Sequence, residues 1–321
     1  MYSSEESGLL RVLRFLQSHD TEYLSGQDLS DVMRMSRVAV WKHIKKIQEL
    51  GYAVESSQKL GYRLAGGTDR LYPWEVTAGL QTRFVGQRAY YVDIAESTQD
   101  EARKLAAPDS DGAVIIAAEQ TGGRGRSGKR WISARGGVWL SVVLHPEFDV
   151  SVMTLFPAAA SLALSVAMER TLGIHPELRW PNDVTVNEKK VAGILVDASL
   201  ESNRIESMIV GTGINYNVDA GMIEKELGET PGFYGAASLD SDTRPVVLVQ
   251  AFLSELERVY DKLHNDNTDY ITSEWSKRSP AIGGRVRVNT RGGVVSGIAS
   301  RIDRDGALVV DGTRVTAGDL I

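Results

Sequence analysis

The sequence contains no cysteine. Disulfides, thiolate metal sites and cysteine nucleophiles are excluded together. It also lacks a long apolar run. The longest mainly apolar stretch, 155–168, is rich in alanine and serine and too short to span a bilayer. The start, Met1-Tyr-Ser-Ser-Glu-Glu-Ser, is acidic and has no basic-then-apolar leader. A cytoplasmic protein with no membrane partner is expected. There is no excess of positive charge: the formal net charge is −6. Any nucleic-acid role must therefore come from a local patch. His19, His43, His145, His175 and His264 show no metal-ligand spacing, and no metal-binding residues are assigned. Repeats and low-complexity tracts are absent. The 321 residues, 42% hydrophobic and 24% charged, have an ordinary globular composition and predict two or three domains.

What is present is concentrated at 119–131, Glu-Gln-Thr-Gly-Gly-Arg-Gly-Arg-Ser-Gly-Lys-Arg-Trp. Four glycines and four cations lie within ten positions and end on Trp131. Glycine brings no side chain to bury and is costly to order. An anion that orders this loop is the expected guest. Glu119, the one carboxylate close in sequence, cannot balance four cations. Two familiar motifs overlap here. Gly123, Gly125 and Gly128 fit a dinucleotide fingerprint, which needs a helix next and an acidic residue about 20 positions on. The chain instead continues Val138-Trp-Leu-Ser-Val-Val-Leu144, a strand composition. Gly123 to Lys129 fits a phosphate loop, but Arg130 stands where a magnesium-holding hydroxyl belongs. Both motifs are set aside.

Three segments are expected, giving a multidomain α+β fold. Residues 1–66 predict a winged helix-turn-helix. Leu9, Leu10, Leu13 and Leu16 have helical spacing, 27–33 makes a second helix, and Ser36 caps a third that stops at Gly51. Two short strands around a polar turn form the wing. Arg34, Arg37, Lys42, Lys45, Lys46, Lys59 and Arg63 outnumber Glu49 and Glu55 here. Ser36, Arg37, Trp41, Lys42 and Lys45 are the candidate DNA contacts. After a hinge-like 65–70, residues 67–276 predict an α+β sheet domain. Pro73 opens a helix. Strands are expected at 90–94, 113–118, 178–180, 191–197 and 205–210. A capping box, Thr98 with Glu101, starts a helix, and 154–172 is a long apolar helix. Trp139 and Phe156 read as core. Residues 277–321, with short β-rich runs between Gly and Asp turns, predict a small SH3-like β-barrel. Taken alone, Ser97 and Thr98 are helix caps and Lys190 is a solvated hairpin tip.

Three motifs change that reading: Gly123-Arg-Gly-Arg-x-Gly-x-x-Trp131; Arg179-Trp-Pro-Asn-Asp183, followed by Lys190-Val-Ala-Gly-Ile-Leu195; and Gly211-Thr-Gly-Ile-Asn215. In this order they resemble the biotin–protein ligase family, whose central domain is of the biotin/lipoate ligase type. With the winged helix they resemble its bifunctional members, which also repress the biotin operon. The resemblance implies two steps. Biotin and MgATP give biotinyl-5′-AMP and pyrophosphate. A lysine of a biotin carboxyl carrier protein then takes the biotinyl group.

The resemblance also assigns residues. Arg126 and Lys190 are the catalytic candidates. Ser97, Thr98, Gln99, Gln120, Arg124, Gly125, Arg126 and Lys190 are the biotin-side residues. Trp131, Asn182, Asp183 and Asn215 are the nucleotide-side residues. Operator DNA and a homodimer are the implied regulatory partners. Two positions depart from the family pattern. Gln99 stands where Asn is usual, and Ser127 stands where some relatives have another Arg. Leakier retention of the adenylate is expected. Two other readings remain open: a transcription factor that senses a small acid without catalysis, and a lipoate-type ligase. The latter would carry an Arg-Arg-x-x-Gly-Gly-Gly loop.

Overall fold

The computed structural model describes residues 2–3, 7–202, 204–230 and 232–321. Most of the acidic start read above lies outside them. The chain divides into two compact units, one ending at Leu71 and the other beginning at Tyr72. The second also includes β1 (Tyr2–Ser3).

The first unit contains α1 (Gly8–Gln17), α2 (Gly26–Met33), α3 (Arg37–Glu49) and the wing strands β2 (Ala53–Ser57) and β3 (Gly61–Gly66). Each helix starts on a serine. The hydroxyls of Ser7, Ser25 and Ser36 accept the N–H three residues on, at 3.4, 3.0 and 3.2 Å. Leu10, Leu13, Leu16, Leu29, Val40, Ile44 and Ile47 form the core between them. The unit runs past residue 66 because Thr68 folds back. Its buried hydroxyl donates to Leu50 O at 3.2 Å.

The second unit opens with α4 (Pro73–Thr77), which has Pro73 in its first turn. There follow β4 (Ala89–Ala95), α5 (Thr98–Leu105), β5 (Val114–Gln120), β6 (Val138–Leu144), α6 (Val150–Met153) and α7 (Phe156–Leu172). Then come β7 (Glu177–Arg179), β8 (Asp183–Val186), β9 (Lys189–Glu201), β10 (Arg204–Ile214), α8 (Ala220–Leu227), α9 (Pro245–His264) and α10 (Thr268–Lys277). Among the described residues an eight-stranded sheet has the order β1-β4-β5-β6-β10-β9-β8-β7. Only β4 and β5 pair in parallel, with α5 as their crossover. That crossover brings the N-terminus of α5 beside the end of β5. The expected helix over 154–172 starts at Phe156, where Pro157 sets its first turn, and 150–153 forms the separate α6. α7 is apolar on nearly every side because it lies between α9 and strands β7–β9. Strand β8 and helices α8 to α10 were not anticipated.

The C-terminal sheet is β11 (Arg285–Thr290), β12 (Gly293–Ile302), β13 (Leu308–Val310), β14 (Thr313–Val315) and β15 (Asp319–Leu320), in the order β14-β13-β12-β11-β15. The early part of β12 pairs with β11. From Ala299 on it pairs with β13, with a register shift between Ala299 and Arg301. This sheet belongs to the same compact unit as the larger one.

Candidate active site

The N-terminus of α5 forms one wall of a deep pocket that also takes in the glycine-rich loop. The expected capping box of Thr98 with Glu101 does not form, and the helix cap lies one residue earlier. Ser97 is the cap, and its hydroxyl accepts Gln99 N–H at 3.3 Å. Thr98 is engaged elsewhere. Its N–H and its hydroxyl both donate to Gln120 Oε1, at 2.7 and 3.1 Å, and its oxygen accepts from Ser141 Oγ at 2.8 Å. Gln120 Nε2 donates to Ser133 Oγ at 2.8 Å. The polar groups expected to meet biotin therefore hold one another in place. Gln99 Nε2 donates to Asp197 at 3.2 Å, and its side chain lies against Gly211, where a Cβ would come within 2.9 Å. The extra methylene at this departure from the family pattern has room because residue 211 carries no side chain.

The loop is a folded hairpin. Gly125 N–H donates to Lys129 O at 2.7 Å and Trp131 N–H to Gly123 O at 2.9 Å. A 3-10 turn over Arg126–Gly128, with Ser127 at φ 55°, closes the tip. A strand follows it, so neither nucleotide motif has its helix. Three distant carboxylates face the four cations, which sequence proximity did not reveal. Arg124 meets Asp100 at 2.6 Å, Arg130 meets Glu226 at 2.9 Å, and Lys129 meets Asp319 at 2.7 Å. Arg126 is held least tightly, 3.8 Å from Asp319 and 3.3 Å from Asn182 Oδ1. The Arg124 hydrogen bond, with Arg103 assisting, keeps the Asp100 carboxyl below its ordinary value.

Lys190 is not a solvated tip. Asn187 and Glu188, both at positive φ, make the turn before β9. Alternation along the strand then exposes Lys189 and turns Lys190 inward. Lys190 Nζ lies 2.6 Å from Asp183 Oδ1 and 5.0 Å from the centre of the Trp131 ring. Tyr234 Oη donates to the other Asp183 oxygen at 2.8 Å. Burial, reinforced by Asp183, pushes the Tyr234 hydroxyl far above its ordinary pKa, so it remains a donor. Arg179 stacks over Tyr234 at 4.2 Å and donates to Leu320 O at 2.7 Å. Asn182 donates to Ile194 O, and Asn215 Nδ2 to Lys190 O at 3.4 Å. The Trp131 indole lies against Gly213, where a Cβ would sit 2.5 Å from Nε1.

Four buried polar atoms in this lining have no protein partner: Gln99 Oε1, Trp131 Nε1, Thr212 Oγ1 and Asn215 Oδ1. A buried donor or acceptor left unpaired costs about 1–3 kcal/mol. Four together mark the space for a polar guest. Among the described residues no group of three or more His, Asp or Glu could hold a metal ion. In the other unit, Arg37, Trp41, Lys42 and Lys45 are all exposed on α3, beside the cap Ser36.

Residues 91–215 match the biotin/lipoate A/B protein ligase family, and residues 9–63 match an HTH domain. The chain is 34% identical, over 91% of its length and 90% of the relative's, to the bifunctional ligase/repressor BirA of Bacillus spizizenii. It belongs to the bifunctional ligase/repressor family. The Escherichia coli BirA is 27% identical over 90% of this chain and 88% of its own. A biotin protein ligase from Aquifex aeolicus, solved in complex with biotin and ATP, superposes with a TM-score of 0.61. That pair is 27% identical and covers 73% of this chain and 97% of the other.

All the residues that the resemblance assigns to biotin and nucleotide line one cavity. Tyr234 and Asp319 also line it and were missed, Arg179 was quoted in a motif but given no role, and Asp100, which holds Arg124 from outside the lining, was missed too. Asp100 sits one residue beyond the Ser-Thr-Gln segment, and an acidic residue facing a cationic loop was a usable signal. Tyr234 and Asp319 had none, because only the tertiary fold brings them near.

Proposed function

We propose that this chain activates biotin with ATP, transfers it to a lysine of a biotin carboxyl carrier protein, and represses transcription when loaded with the adenylate. A biotin carboxylate oxygen attacks the α-phosphorus and pyrophosphate leaves. Two anions must meet, and Lys190 with Arg124 and Arg126 offsets their repulsion. Ser97, Thr98, Gln99 and Gln120 orient the ureido head. Gly125 lets the loop backbone close on the carboxylate, while Trp131, Asn182, Asp183 and Asn215 flank the nucleotide. In the second step the carrier amine attacks the mixed anhydride carbonyl and AMP leaves. The hairpin loop keeps water from that anhydride. The described residues offer no resident metal set, so magnesium would arrive with the triphosphate. The need for ATP places the work in the cytoplasm.

The observation that carries this reading is the convergence of Lys190, the loop arginines and four unpartnered polar atoms on one cavity. The relatives are named for biotin, which favours biotin over lipoate, and they are ligases, which sets a purely sensing role aside. Arg37, Lys42 and Lys45, exposed on α3, support binding of operator DNA, with Ser36 and Trp41 at the same surface. A homodimer formed on adenylate binding would grip two half-sites.

Mass spectrometry of the protein incubated with biotin and MgATP is expected to find bound biotinyl-AMP, and labelled biotin should pass to a carrier domain. Absence of both sinks the ligase reading. Gel-shift affinity that ignores biotinyl-AMP sinks the regulatory half alone.

A further inference from the structure

Helix α3 exposes two apolar side chains among its cations. Val38 is 63% exposed and Trp41 50%. At 100° per residue, Arg37, Val38, Trp41, Lys42 and Lys45 share one face, while Val40, Ile44 and Ile47 are buried on a separate one. Val38 and Trp41, with Tyr62 of the wing strand β3, wall a shallow depression that Arg37 and Gly26 complete. An apolar patch held open to water on a cationic face calls for a partner that is anionic around an apolar point. The basic rim selects the phosphates of a duplex. The patch then has one apolar group to read in the major groove, the C5-methyl of thymine.

We infer that Val38 and Trp41 read thymine methyl groups, so each operator half-site carries thymines at fixed positions under the first turns of α3. This rests on α3 entering the major groove, as the proposed repressor function requires. Arg37, Lys42 and Lys45 fix the register through phosphates and carry no sequence information of their own. Val38 and Trp41, three residues apart, supply the discrimination at two neighbouring steps.

The test uses the full chain with biotin and MgATP. A site is selected from a randomised duplex library, and each of its thymines is then replaced singly by deoxyuridine, which removes only the methyl. Two thymines per half-site should each lose about fourfold in affinity, the worth of one buried methyl-sized group. V38A should abolish the thymine–uracil difference at one position and W41A at the other. K42A should flatten the salt dependence and leave both differences intact. Neither side chain belongs to the buried core, and melting curves verify that each variant is folded. The inference is overturned if no methyl matters, or if the differences survive in V38A and W41A. If the library yields no preferred sequence, the repressor reading itself falls and this inference with it.

Discussion

Asp183 has both oxygens engaged, one by the Lys190 ammonium and one by the Tyr234 hydroxyl. The arrangement matters because the pair aims the lysine at the place where the two anions of the proposed first step would meet. Asp183→Asn keeps the shape of the side chain and removes the charge that holds the ammonium in place. That variant should form adenylate about tenfold more slowly, since the lysine is no longer aimed, measured as single-turnover release of pyrophosphate. An unchanged rate would show that Asp183 does not position Lys190. The sequence exposed half of this arrangement. Asp183 and Lys190 sit in motifs, but a paired lysine at a strand edge looks like any hairpin tip until β8 supplies the carboxylate. Gln99 is similar: its departure from Asn was visible, but the space at Gly211 that absorbs the longer side chain was not.

Periodicity and capping served well for elements with their own local logic. The winged unit is the clearest case, because the Ser36 cap and the apolar spacing of the first and third helices specify them without distant contacts, although the caps Ser7 and Ser25 were not read. Ser36→Ala removes the acceptor at the start of α3. About 1 kcal/mol of local stability should be lost, measurable as faster amide exchange in α3, together with weaker operator binding. Unchanged exchange would mean that the cap is dispensable. The glycine-rich loop is the opposite case. Its composition announced an anionic guest, but the carboxylates that hold it come from α5, α8 and β15. Asp100 has a lowered pKa, so its hold on Arg124 is complete above the ordinary carboxylate value of about 3.9 and is lost as pH falls through the lowered one. Carbon-detected titration of Asp100 should show a midpoint below 3.9. Asp100→Asn should make trypsin cut the loop at Arg124 faster at neutral pH. A midpoint at or above the ordinary value would break this account of the pair. Strands β8 and β15, of four and two residues, are too short to show a period and exist only because longer neighbours template them.

At the scale of the molecule, composition and the three motifs revealed the order of the parts, but not their division into two compact units. The C-terminal sheet has its own strands and still shares one compact unit with the central sheet. Contacts along the sheet explain the sharing: the Trp180 indole donates to the Gly306 carbonyl and Arg304 pairs with Asp269, while at β15 Arg179 meets the Leu320 carbonyl and Lys129 meets Asp319. Two-residue β15 thus reaches both the loop and the wall beneath Tyr234. The lid over the reacting atoms is tied to the small sheet at this strand, so an opening of β15 loosens the loop as well. Deuterium uptake at 122–131 should follow the same time course as uptake at 313–320, and biotin with ATP should slow both by a common factor. Unrelated time courses would mean that each end breathes alone.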